Sequence, residues 1–507
     1  MNPIIKLAAP LFLLGGLTAC GDSAEALLAK ASASLAAQDY EAARLQLAAA
    51  LQKEPENPRL LLLMAQTQLQ LGDADAVEGT LGRLERTHAR FAELPRIKAE
   101  LALLNKQPEQ ALALIKGDAT PAGWRIRAAA QLAMADEAGA IRSFKRGMAA
   151  GDDPGLAAAY ARYKLGSGDP SGADAIYRRM IAMAPANLET LLLAGDIAAA
   201  QGQIDNAIQA YRKVLEAFPG RVVPMLALAN QYDTKGQVDE AMKQVAQAEK
   251  IAPDDPAVEA LKYQLLSEKG EWDKIRLALQ AREADMEPGT GLQMTYAEAL
   301  LRTGHAEQAR LLFKRAALAL PGNPYSRMML GQAQLATGDA NGAWTTLAPF
   351  AASTLARPEI LQVAEQAARG AGAPEAERLQ ARLEPTRLKA TMALVQQGEA
   401  AMLRRDWGSA VAAYSRLLQQ GNDPEVLKRL ALAHNGLGRT QEAIGFADRA
   451  LAAAPDNPDY LFLAGYVRAA GRKDLATALR LLEDAATLDP RNPDIARELR
   501  KVKAAAG

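Results

Sequence analysis

The chain has 507 residues, 49% of them apolar and 23% charged, with 59 basic side chains balanced by 59 acidic ones. That composition excludes a disordered polyelectrolyte, and the neutral balance lacks the overall basic excess that marks a nucleic-acid binder. The single cysteine, Cys20, excludes an internal disulfide and leaves no thiol for metal or redox chemistry in the body of the chain.

Residues 1–19 read as a signal segment: Lys6 precedes an apolar stretch from Leu7 to Leu17 that is broken by Pro10, Gly15 and Gly16. Such a stretch is too short to cross a ~30 Å hydrocarbon core as a helix. The following Leu17-Thr18-Ala19-Cys20-Gly21 resembles the lipobox of bacterial lipoproteins. The resemblance implies cleavage before Cys20, a lipid on its thiol and further acylation of the new amino terminus. Several acyl chains make a stable anchor where one would be marginal. Gly21, rather than an aspartate, follows the cysteine; under the best-known sorting rule of that family this favours the outer membrane, with the chain facing the periplasm.

Beyond the anchor the chain reads as a repeat array. A first unit carries Leu27, Ala31, Ala43, Leu47, Ala50 and Pro55; a weaker one at 57–90 keeps Ala65 and Gly72 but has Val77 and Leu84 where alanines are expected. Units around Ala111 and Ala140 are shortened. From there the register is strict. Gly168, Gly202, Gly236, Gly270, Gly304 and Gly338 each stand 34 residues after the last, with Ala173, Ala207, Ala241, Ala309 and Ala343 five positions behind their glycines and prolines at Pro185, Pro219, Pro253 and Pro321. A fixed period of this length is a stack of small supersecondary units rather than a set of globular domains.

Residues 187–220 show why the unit is a helix pair. Leu191, Ala194, Gly195 and Ala198 fall on one helical face. Gly202 ends that helix, Asp205 suits the first turn of a second, and Pro219 stops it. With Gly195, Gly202, Ala207, Tyr211 and Pro219 in this order, the unit resembles a tetratricopeptide repeat, although Val214 stands where a small residue is usual. The resemblance implies an all-α, right-handed superhelical solenoid of about fourteen helix-turn-helix repeats, with Gly202, Ala207, Gly236, Ala241, Gly304 and Ala309 as structural positions.

The pattern divides the mature chain into an array at 20–351, a degenerate repeat or hinge at 352–385, a second array at 386–491 and a capping helix with tail at 492–507. In the degenerate stretch Gly370, Gly372 and Pro374 crowd together. In the 255–288 unit, Tyr263 and Ile275 occupy small-residue positions and are expected to widen the local helix spacing.

Sites of chemistry are harder to find. His88, His305 and His434 lie far apart without a second ligand at metal spacing, and GDPSG at 168–172 and GAGAP at 370–374 lack the strand and the lysine-serine pair of a phosphate cradle. Trp272 and Trp407 fall at the starts of second helices, where a core role is expected. No catalytic residue, metal or cofactor is therefore expected. Projecting the exposed side of the first helices gives Arg162, Asp196, Asn230, Asp233, Glu298 and Asn435 as candidate groove residues. In tetratricopeptide proteins such a groove holds peptides or helices of partner proteins. Lipoproteins of this build resemble those of exopolysaccharide export and of exosortase-linked surface-protein systems, which implies a non-enzymatic scaffold in an envelope assembly. The competing expectation is an accessory of a polysaccharide-processing enzyme complex that touches glycan directly.

Overall fold

The computed structural model describes residues 22–87, 90–320, 323–490 and 492–506; Cys20 with the signal segment, His88 and Pro321 lie outside them. The described residues form 29 α-helices and no strand. They run as fourteen consecutive antiparallel pairs, from Ala24–Ala36 with Tyr40–Lys53 to Pro458–Ala470 with Leu475–Leu488, followed by one closing helix, Pro493–Ala506. The closing helix buries Ile495 and Val502 and leaves Asp494, Arg500, Lys501 and Lys503 exposed.

One turn joins the two helices of every pair. Its pivot is a residue with positive φ: glycine at 72, 168, 202, 236, 270, 304, 338, 372 and 438, and Gln38, Lys106, Ala135, Arg405 and Arg472 elsewhere. The residue after the pivot donates its N–H back to a carbonyl five positions upstream, as Gln203 does to Ala198 and Gln237 to Tyr232, both at 2.8 Å. This is a Schellman closure, which satisfies carbonyls that the helix end leaves free. That same residue opens the second helix in all pairs but two, where Pro374 and Asp474 open it one position later. Where it is aspartate, its carboxylate caps the new N-terminus, as Asp73 does for Ala76 and Asp169 for Gly172. Helix stop and helix start thus occupy neighbouring residues, and the pair can only fold back on itself.

Packing within a pair depends on small residues. Ala207, Ala241 and Ala309 have no exposed surface. At Gly195 an added Cβ would lie 2.4 Å from Cε1 of Tyr211 in the facing helix; Gly331 against Leu347 and Gly398 against Tyr414 repeat the approach in later pairs. The pair is shortened where the sequence shortens, at Pro108–Leu114. It is altered at the bulky unit: the helix Trp272–Leu279 passes into a 3-10 turn, Gln280–Asp285, while Tyr263 and Ile275 are both buried. Within 352–385 the helices Pro358–Gly370 and Glu375–Arg382 flank a turn at Gly372 of the same kind as the others, one period beyond Gly338.

The chain divides into two compact units, one ending at Leu265 and one starting at Leu266. In the first, the guanidinium of Arg221, at the start of the seventh pair, donates to the carbonyls of Ala37 and Gln38 in the first pair's turn. The stack in this unit therefore curls until its seventh pair meets its first. In the second unit, the buried Asp423 accepts from Ser353 Oγ, Thr354 N–H and Glu425 N–H, tying the turn before Pro424–Gly436 to the segment after Ala340–Ala351.

Candidate functional site

The candidate groove residues all lie on first helices of their pairs. Arg162 is on Pro154–Gly166, Asp196 on Leu188–Ala200, Asn230 and Asp233 on Val222–Thr234, Glu298 on Gly291–Arg302 and Asn435 on Pro424–Gly436. Arg162 and Asn230 are exposed; the other four are half-buried. In the first unit Arg162, Asp196 and Asn230 step by 34 residues, and Gln264, exposed on Pro256–Glu268, continues the row. Projection of the sequence passed over Gln264, although its register position announces it.

Most of this face is held by bonds from one first helix to the next. Arg162 pairs with Glu189, and Gln264 Nε2 donates to Asp233 at 3.0 Å. In the second unit Tyr325 Oη donates to Glu298 at 2.7 Å, Glu298 pairs with Arg302 at 3.1 Å, and Tyr460 Oη donates to Glu425 at 2.8 Å. Glu189, Tyr325 and Tyr460 were not legible as face residues because each acts through a partner some thirty positions away. Exposed pairs of this kind contribute only ~0–1 kcal/mol. They orient the surface, and an incoming polar group can replace one of their members at little cost.

Asp196 differs from the rest. It accepts from Tyr211 Oη at 2.7 Å, inside the pair rather than between pairs. Burial raises its pKa above the ordinary 3.8, a shift that the Tyr211 hydrogen bond and the nearby Arg162 only partly oppose. Burial, with the adjacent carboxylate, also pushes the Tyr211 phenol upward. Asp196 is thus half a structural residue. Asn230 presents its side chain outward from the same row.

The tryptophans expected in the core are half-buried. Trp407 lies against Gly436, where an added Cβ would come within 2.4 Å of its ring, and Trp272 has Arg302 over its face at 5.7 Å. His434 is buried, and burial lowers its pKa; His305 caps the helix Ala306–Ala319 by position, with Nδ1 3.1 Å from Thr303 Oγ1. No group of three histidine, cysteine, aspartate or glutamate residues stands together as a metal site among the described residues. None of the described helices is long and apolar enough to cross a membrane.

Models of the tetratricopeptide repeat match the sequence at residues 34–101 and 198–265, and a second tetratricopeptide model matches at 158–222 and 395–458. The chain carries tetratricopeptide repeats. The matched segments lie in both compact units and coincide with helix pairs built on the common turn. No curated protein matches the sequence. Among solved structures the chain is similar to one from the crystal structure of the APC/C hetero-tetramer Cut9-Hcn1, at 15% identity and a TM-score of 0.38, over 95% of this chain and 96% of that one. Tetratricopeptide arrays are surfaces for protein partners.

Proposed function

We propose that this chain is a lipid-anchored scaffold of the bacterial cell envelope, held through Cys20 at the outer membrane and facing the periplasm. Its first-helix face binds protein partners in an assembly for exopolysaccharide or exosortase-linked surface-protein export. The observation that supports partner binding is the row Arg162, Asp196, Asn230 and Gln264, repeated at the period of the tetratricopeptide unit, with Arg162 and Gln264 already oriented by bonds to the neighbouring first helix. A surface ordered before binding loses less side-chain freedom on association. Its mixed charge suits an extended segment carrying both signs and amides.

Purification from cell envelopes tests both the face and the anchor. After detergent extraction of cell envelopes, the full-length chain is expected to purify with a stoichiometric protein partner. Asn230→Arg combined with Gln264→Arg, both at exposed positions, is expected to weaken that association at least about tenfold, or ~1.4 kcal/mol, without loss of helicity. Cys20→Ala is expected to release the chain from the membrane fraction. Retention of the partner by the double variant contradicts the face, and retention of Cys20→Ala in the membrane contradicts the anchor.

A further inference from the structure

The second unit contains a cluster of cations that the scaffold reading leaves unused. Between the segment after Ala340–Ala351, the helix Glu375–Arg382 and the long helix Pro385–Leu403 lies a cavity of about 110 Å³. Arg378, Arg382 and Arg387 line it together with Thr354, Thr391 and Gln420, and no carboxylate does. Arg382 is fixed: its two terminal nitrogens donate to the carbonyls of Ala351 and Ser353. The guanidinium groups of Arg378 and Arg387 have no hydrogen-bond or ion-pair partner among the described residues, although each stands close enough to Arg382 to disfavour its charge.

The nearby acids Asp423 and Glu384 bond to groups other than these guanidiniums. Asp423 attracts Arg382 but is occupied by Ser353, Thr354 and Glu425. Both carboxylate oxygens of Glu384 accept from the opening N–H groups of Pro385–Leu403, those of Thr386 and Arg387. Three like charges around one polar cavity repel each other, and the arrangement gains most from a small anion placed among them.

We propose that this cavity binds a phosphate-type oxyanion, with Arg378 and Arg387 closing on it from two sides, Arg382 supplying fixed positive charge and the Thr354 and Thr391 hydroxyls within the lining. The volume is that of roughly three or four waters at ~30 Å³ each, enough for one tetrahedral oxyanion. Guanidinium forks match phosphate oxygens in pairs of hydrogen bonds. Thr391 Oγ1 reaches only Gln420 Oε1, at 3.5 Å, so its hydroxyl can turn to a ligand at little cost. A planar carboxylate would leave part of this donor set unused. The same chemistry serves free phosphate or a phosphoryl group on a larger ligand.

Isothermal titration of the full-length chain in detergent, at constant ionic strength in chloride, separates these cases. The probes are inorganic phosphate, O-phosphoserine and acetate. Saturable binding of phosphate at one per chain is expected, with acetate at least tenfold weaker. O-phosphoserine binding as well as phosphate identifies a phosphoryl-bearing ligand, and its exclusion identifies free phosphate; both outcomes support the site. Arg378→Gln with Arg387→Gln, at exposed positions, is expected to weaken phosphate at least tenfold while leaving the melting curve in chloride unchanged. Thr391→Val, which removes one hydroxyl and no charge, is expected to weaken it severalfold and serves if the double variant melts early. Absence of phosphate binding by the parent, equal binding of acetate, or binding unaltered in both variants overturns the proposal. None of these results depends on a protein partner being found.

Discussion

At the scale of single residues, the turn pivots carry an unusual cost in five of the fourteen repeats. Ala135 is held at φ 60° with its side chain exposed, a conformation that costs an L-residue roughly 1–2 kcal/mol, against about 0.5–1 kcal/mol that glycine loses in flexibility. Ala135→Gly is therefore expected to stabilise its pair by about 0.5–1 kcal/mol. Gly202→Ala is expected to cost about 1 kcal/mol, and strain alone explains it, because an added Cβ at Gly202 meets no atom within 4 Å. An array melts unevenly, so local amide exchange of the flanking helices is the proper measurement. The expected changes are severalfold and of opposite sign; a gain at both positions contradicts the pivot account. The glycine pivots were legible in the sequence because glycine is the default residue at positive φ. Gln38, Lys106, Ala135, Arg405 and Arg472 were not, because neighbouring closures hold them there and their identities do not announce the turn.

At the scale of elements, each pair is closed by the turn and by side chains that cross it. Asp196 and Tyr211 are such a crossing. Because burial raises the folded pKa of Asp196 above its ordinary 3.8, its neutral form fits the fold best. That stabilisation is full below the ordinary value and is lost as pH rises through the raised one. Asp196→Asn keeps an acceptor for Tyr211 without the charge. It is expected to protect the pair at neutral pH at least as well as the parent does, with any advantage vanishing below the ordinary aspartate value. Weaker protection at neutral pH would show that the charge-assisted hydrogen bond outweighs burial. Helix pairing itself was readable from Gly195, Gly202, Ala207 and Pro219, since these residues punctuate or permit close approach. The 3-10 turn at Gln280–Asp285 was not readable. Bulky residues at small positions were expected to spread the helices, and both are buried while the second helix is cut short.

At the scale of the whole molecule, fourteen repeats of one turn account for the order of helices, but bonds remote in sequence complete each unit. Arg221 reaching the first pair spans 183 residues, and Asp423 reaching Ser353 spans 70. Periodicity contains no record of such bonds, which is why the register predicted the stack and not what ties its distant members. The same limit applies to the candidate face. Its positions follow from the period, whereas Glu189, Tyr325 and Tyr460 enter only through neighbours. The cation cluster at 378–387 was passed over for a related reason: each arginine alone reads as a solvated helix residue, and only the fold puts three around one cavity.

The central claim is that partners meet the first helices and not the second. Photo-crosslinking in intact cells tests it most directly, with the reactive side chain placed in turn at Asn230, Gln264 and Asn435, and at the exposed Lys213 on the second helix Ile204–Ala217. The account predicts one discrete protein captured from the three first-helix positions and none from Lys213. Capture of the same protein from Lys213 with none from the first-helix positions would contradict it.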